Sequence, residues 1–197
     1  MPIRPETRAP PTMQPASPPP RANADQLRRL LQESRLLGVP VEHGASRSLR
    51  RVREPARLVS IGVDTQRRAQ WLAPRAARAW LRMRDAAAAD AIQLQVVSAF
   101  RSVEYQLGIL KRKCERGQSI AEILRVSAAP GYSEHHSGRA LDLTTPGFAA
   151  LEEDFERSPA FAWLRVHARR FGFRMSYPRE NPHGIAYEPW HWCWHAR

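Results

Sequence analysis

A chain of 197 residues, 43% hydrophobic and 25% charged, has room for one domain with a real core plus a tail, but not for a second catalytic domain. No apolar run is long enough to span a bilayer, and two cysteines exclude both a disulfide framework and a cysteine-rich metal knuckle. The net charge of +12 would suit polyanions, but the positive residues, nearly all arginine, are scattered rather than interleaved with aromatic residues. Nucleic acid is therefore not an expected partner, and attraction to an anionic wall polymer is at most a secondary effect.

Eight of the 17 prolines fall between Met1 and Pro20, where too few apolar residues exist to offset the entropy of ordering, so residues 1–22 are expected to form a proline-rich disordered tail. This stretch has no apolar h-region, and an ordinary secretory signal is not expected in it. From Ala24 to Leu37 the leucines recur at helical spacing behind Asn23 as a cap, and an Arg-rich connection follows to Arg57. The helix either packs on the domain or merely precedes it, and residues 23–57 are set apart from a domain at 58–197.

Ala73 to Ala91 reads as a second helix, and the alternation of Ile92, Leu94 and Val96 predicts a half-buried strand ending near Ser98. Val103 to Arg116 and Ser119 to Val126 are helical, with Gly117 as the stop between them. The segment AAPGYSEHHSGR is rich in turn formers, and ALDL after it predicts a short strand that carries Asp142. Pro159 to Phe171 is a further helix closed by Gly172. Phe173 to Ser176 and Trp190 to Trp194 are strand candidates.

Two constellations carry chemistry. His135 and Asp142 are seven residues apart, with Gly138 between them to let the chain fold back and aim both side chains at one point. In the second, Glu188 precedes His191 by three residues within a run that holds Trp190, Trp192 and Trp194, a potential apolar wall. Two imidazoles and a carboxylate are a suitable ligand set for a catalytic zinc that keeps one position for water.

Ser133, His135, Gly138, Ala140 and Asp142 match the pattern S-x-H-x-x-G-x-A-x-D, and Glu188, Trp190 and His191 match E-x-W-H. The pair resembles the metal motifs of the D-alanyl-D-alanine carboxypeptidase and dipeptidase family of zinc peptidases, and Ser98 to Ser102 with Gln106 resembles its Arg-bearing strand end. The resemblance covers roughly residues 92 to 194. It implies an α+β fold, a small antiparallel sheet packed against helices with zinc in a surface cleft. One zinc per chain would be held by His135, Asp142 and His191, with Glu188 as general base and Arg101 stabilising the substrate carbonyl oxygen or terminal carboxylate. Ser133, Gln106, Tyr187 and Trp190 are implied substrate contacts.

Tyr187 and Pro189 around Glu188 favour the carboxypeptidase branch, VanY-like and LD-carboxypeptidase-like. The expected reaction is removal of a C-terminal D-Ala from peptidoglycan stem peptides by a monomer. That substrate implies the cell envelope. A D-Ala-D-Ala dipeptidase or a stem-peptide endopeptidase of the same fold is the alternative within the class. A non-catalytic wall-binding module is the alternative outside it, but such a module has no reason to keep Glu188. His136 is expected to face solvent or to support the ligands, since adjacent side chains on an extended loop point apart. His43, His167, His183 and His195 show no partner at useful spacing, and Cys193 reads as a small buried hydrophobe.

Overall fold

Short alternating segments that cannot bury their apolar faces alone are brought together in an antiparallel sheet. In the computed structural model, which describes residues 17–196, β3 (Gln95–Ser98), β4 (Ala140–Thr144), β5 (Phe173–Met175) and β6 (His191–Trp194) form a four-stranded sheet in the order β3-β4-β6-β5. A separate hairpin pairs β1 (Val59–Val63) with β2 (Ala69–Leu72). Leu141, Leu143, Phe173 and Trp192 point from the sheet into the main core. There they meet Trp80 and Met83 of α3 (Pro74–Ala89) and Leu164 of α6 (Pro159–His167). The strand alternation sends Asp142 and His191 to the other face. That face is the floor of the site.

A second core cluster, Val39, Leu110, Ile123, Leu124 and Ala129, joins α4 (Val103–Glu115) to α5 (Ile120–Ile123). Ser102 caps α4 by accepting from the Tyr105 N–H at 3.0 Å. On the proline-initiated α6, Ser158 does the same for the Phe161 N–H.

The helices and strands follow the periodicities with small shifts of their ends. The third strand begins at Gln95 rather than Ile92, because the chain turns at Ala91, which has φ +59°. The last turn before Gly172 tightens into a 3-10 helix, Ala168–Phe171. Two features were not expected from the sequence, the β1–β2 hairpin and the short helix α2 (His43–Ser46). Helix α1 (Ala24–Leu36) packs on α4, with a Glu33–Lys111 ion pair at 2.7 Å. The buried Glu54 accepts from the N–H of Val103 at 2.7 Å and of Ala22 at 3.0 Å. Arg47 donates to the carbonyls of Leu124 and Gly184. The expected proline-rich tail lies, up to residue 16, outside the described residues. No helix among the described residues is long and apolar enough to cross a membrane.

Candidate metal centre

Histidine 135 and Asp142 are brought together by a 3-10 turn, Glu134–Ser137, that ends at Gly138 with φ +62°. A side chain at Gly138 would come within 2.9 Å of the Ala73 backbone nitrogen, which donates to the Gly138 carbonyl at 2.8 Å. Glycine is therefore required by conformation and by space. His191 is added by register, since Asp142 of β4 and His191 of β6 are cross-strand partners.

All three side chains are buried, and one donor atom of each lies within 4.8 Å of the others. The Nδ1–H of His135 has the Ala99 carbonyl as its partner at 2.5 Å, which leaves Nε2 as a lone pair. That lone pair faces Asp142 Oδ2 at 3.2 Å and has no hydrogen-bond partner. Burial and the Arg101 guanidinium hold the His135 imidazole down to about 4, so it is neutral at physiological pH. Two acceptors facing each other in a dry site repel unless a cation lies between them. The donor set therefore fits a metal ion.

His191 is fixed from both sides. Its Nδ1 lies 3.0 Å from Asp142 Oδ1 and its Nε2 2.9 Å from Glu134 Oε2. Burial disfavours the imidazolium, but bonds to Asp142 and Glu134 outweigh it and push the ring up to about 10 without a metal. A cation at Nδ1 would take the place of that proton. Burial would also raise Asp142, yet the bond to His191 and the Arg101 guanidinium hold its carboxyl well below the usual range. The ring of Tyr177 packs on His191 with centroids 4.8 Å apart.

Glu188 Oε2 approaches His191 Nδ1 at 3.8 Å without joining the tight group. Its backbone is held by its N–H to the Tyr177 carbonyl and by its carbonyl, which accepts from the His191 N–H. Burial pushes the carboxyl up to about 7, with Asp142 and Glu134 adding to the rise and His191 and Arg101 opposing it. That rise belongs to the metal-free protein, and a carboxylate beside the metal position suits proton transfer. Arg101, mostly buried, directs its NH2 group to Asp142 Oδ2 at 3.5 Å, and its Nε has no partner.

The expected substrate contacts are less uniform. Ser133 is buried at the start of the turn that carries His135. Gln106 is buried on α4, where Nε2 donates to the Ala128 carbonyl at 2.8 Å while Oε1 has no partner. Tyr187 turns toward an ion-pair network instead. Arg179 stacks on its ring at 4.0 Å, and its hydroxyl bonds Glu156, so that burial and this bond push the phenol up to about 12. Trp190 is half-buried against the main core, Trp192 lies within that core, and Trp194 packs on its edge. The tryptophans thus back the sheet rather than line a pocket, because they alternate with His191 and Cys193.

His136 does not face solvent. The tight turn buries it completely, where its Nδ1–H donates to the Arg101 carbonyl at 2.7 Å and its Nε2 accepts from the Gly131 N–H at 3.1 Å. Glu134, which sequence reasoning passed over, anchors His191 and accepts from Ser176 Oγ at 2.6 Å. Its position beside a ligand histidine was the available signal.

Residues 69–197 match the family described as D-alanyl-D-alanine carboxypeptidase. A D-alanyl-D-alanine carboxypeptidase of Enterococcus faecalis is 33% identical over 118 residues, which is 55% of this chain and 42% of that protein. The chain thus spans under half the length of this relative. The solved LdcB LD-carboxypeptidase superposes with a TM-score of 0.64 at 30% identity, covering 72% of this chain and 69% of that one. A mutant of the vancomycin-resistance D,D-pentapeptidase VanY in complex with Zn(II) gives 0.56 at 26% identity, covering 72% and 82%.

Proposed function

Because the chain belongs to the D-alanyl-D-alanine carboxypeptidase family, we propose that it is a zinc peptidase that removes a C-terminal D-Ala from peptidoglycan stem peptides. The observation that carries this reading is the unpaired Nε2 of His135 facing the Asp142 carboxylate in a buried site. His135 through Nε2, Asp142, and His191 through Nδ1 hold one zinc ion. Bound zinc lowers the pKa of its water to about 7 and polarises the scissile carbonyl.

Glu188 takes the proton of the attacking water and returns it to the leaving amine. Its place just before Pro189 biases its backbone to an extended form, which helps to keep it off the metal. Arg101 meets the negative charge of the substrate, its planar fork suited to a carbonyl oxygen or a carboxylate. Ser133 and Gln106 supply polar contacts at the closed end of the site, the free Oε1 of Gln106 being an acceptor there. Tyr187 and Trp190 flank Glu188 and shape the rim from behind. We take the enzyme to act as a monomer.

The relatives act on both D,D- and L,D-bonds, and the bond cut is read by mass spectrometry of digests of tetrapeptide, pentapeptide, C-terminally amidated pentapeptide and free D-Ala-D-Ala. Loss of one Ala from an acid-ended peptide, with the amidated one resistant, supports the carboxypeptidase. Cleavage of the free dipeptide alone, or of an internal bond whatever the C-terminus, overturns it.

A further inference from the structure

Beside the site just described lies another set of donors that the reaction does not use. Glu134, Cys193 and His195 each bring a possible ligand atom within 4.8 Å of the others. They line a cleft of about 680 Å³ together with Arg51, Arg139 and Tyr177. Strand alternation creates the set, because His191, Cys193 and His195 follow one another on one side of the chain end. Glu134 reaches it from the 3-10 turn.

The three donors differ in exposure in a way that suits capture of an ion from solution. Cys193 is buried, Glu134 is half-buried, and His195 is exposed. The cleft gives the ion a path in. We propose that Glu134, Cys193 and His195 form a second metal site for a thiophilic divalent cation such as zinc or cobalt. On binding, the Cys193 S–H bond is replaced by a sulfur–metal bond and the proton leaves through the cleft to solvent. The arginines around the cleft repel a free cation, so the thiolate is needed to hold one. Hard cations, which prefer oxygen, are disfavoured. Glu134 then joins the two centres, with Oε2 on His191 Nε2 and its carboxylate also beside Cys193.

The test is titration of the metal-free full chain with cobalt, following metal equivalents and the near-ultraviolet thiolate-to-cobalt charge-transfer band. Wild type should bind about two equivalents and show the band. Cys193→Ser should bind about one and lose the band, and so should His195→Gln, whose exposed side chain makes unfolding an improbable cause. His135→Ala, which removes a ligand of the first site, should keep the band. This separates failure of the second site from failure of the first. No band in wild type, or a band that survives Cys193→Ser and so belongs to Cys114, overturns the proposal.

Discussion

Arg101→Lys keeps a positive charge near Asp142 but removes the planar fork and its unpartnered Nε. An interaction made chiefly in the transition state should cost turnover rather than stability. The expected result is a fall in kcat of at least about tenfold with an unchanged Tm, and equal activity would place Arg101 outside the reaction. Zinc uptake has its own signature. His135 is neutral and Asp142 ionised before the metal arrives, whereas His191, pushed up to about 10, must give up a proton. At pH 6, below the pKa of zinc-bound water, calorimetry in buffers of different ionisation enthalpy should report at least about one proton released per zinc, the one held by His191, with Glu188 able to add to it. Affinity should weaken as the pH falls, since protons compete for His191. Release of no proton would contradict this ligand set. The candidate ligands His135, Asp142 and His191 were legible in the sequence because two clusters unusual for packing also match the family's paired motifs. Glu134 and His136 were not, because their roles depend on a tight turn that only the folded chain reveals.

The element most hidden in the sequence is the β1–β2 hairpin. Its β1 strand is short and interrupted by Gly62, so the period-two signal is weak, and its turn is built by a side chain rather than by glycine. Asp64 accepts from the N–H groups of Gln66 and Arg68, from Arg68 Nε and from Gln70 Nε2. Gln70 Oε1 in turn accepts from the Ala99 N–H at 2.9 Å, and the Ala99 carbonyl orients His135. The hairpin therefore clamps the backbone that sets the tautomer of the candidate ligand His135. Gln70→Leu leaves the Ala99 N–H buried without a partner and removes a donor from Asp64. A loss of about 1–3 kcal/mol in urea unfolding is expected, with weaker zinc binding. Stability and zinc affinity equal to wild type would show that the clamp is immaterial. Helices α1, α4 and α6 were legible because a capping side chain precedes the helical period in each, whereas α3, which has no side-chain cap, was legible from its Ala, Arg and Leu content. The sheet order was not, because it rests on pairings between residues far apart in the chain.

Across the whole molecule, the net charge of +12 is carried mostly by arginines, and one of them, Arg101, reaches the candidate site, 3.5 Å from Asp142 Oδ2. The segment from Ala22 to Arg57, a helix and Arg-rich connection for which the sequence left packing on the domain open, is tied to the rest through Glu54, Arg47 and the packing of α1 on α4. Its arginines gave no periodic signal, and its role rests on single buried bonds that sequence patterns do not show. Glu54→Ala should orphan the Val103 N–H at the start of α4 and cost about 1–3 kcal/mol, lowering Tm by several degrees. An unchanged Tm would mean that this segment contributes little. The central claim concerns zinc and Glu188 together, and one comparison tests it: the rate of D-Ala release from a pentapeptide by zinc-loaded wild type and by zinc-loaded Glu188→Gln, with metal content measured on the same samples. Both proteins should hold about one zinc under stoichiometric loading, and the variant should be slower by on the order of 10²- to 10⁴-fold, the usual cost of losing a positioned general base. Equal rates, or a wild type that releases no D-Ala with its zinc in place, would contradict the account.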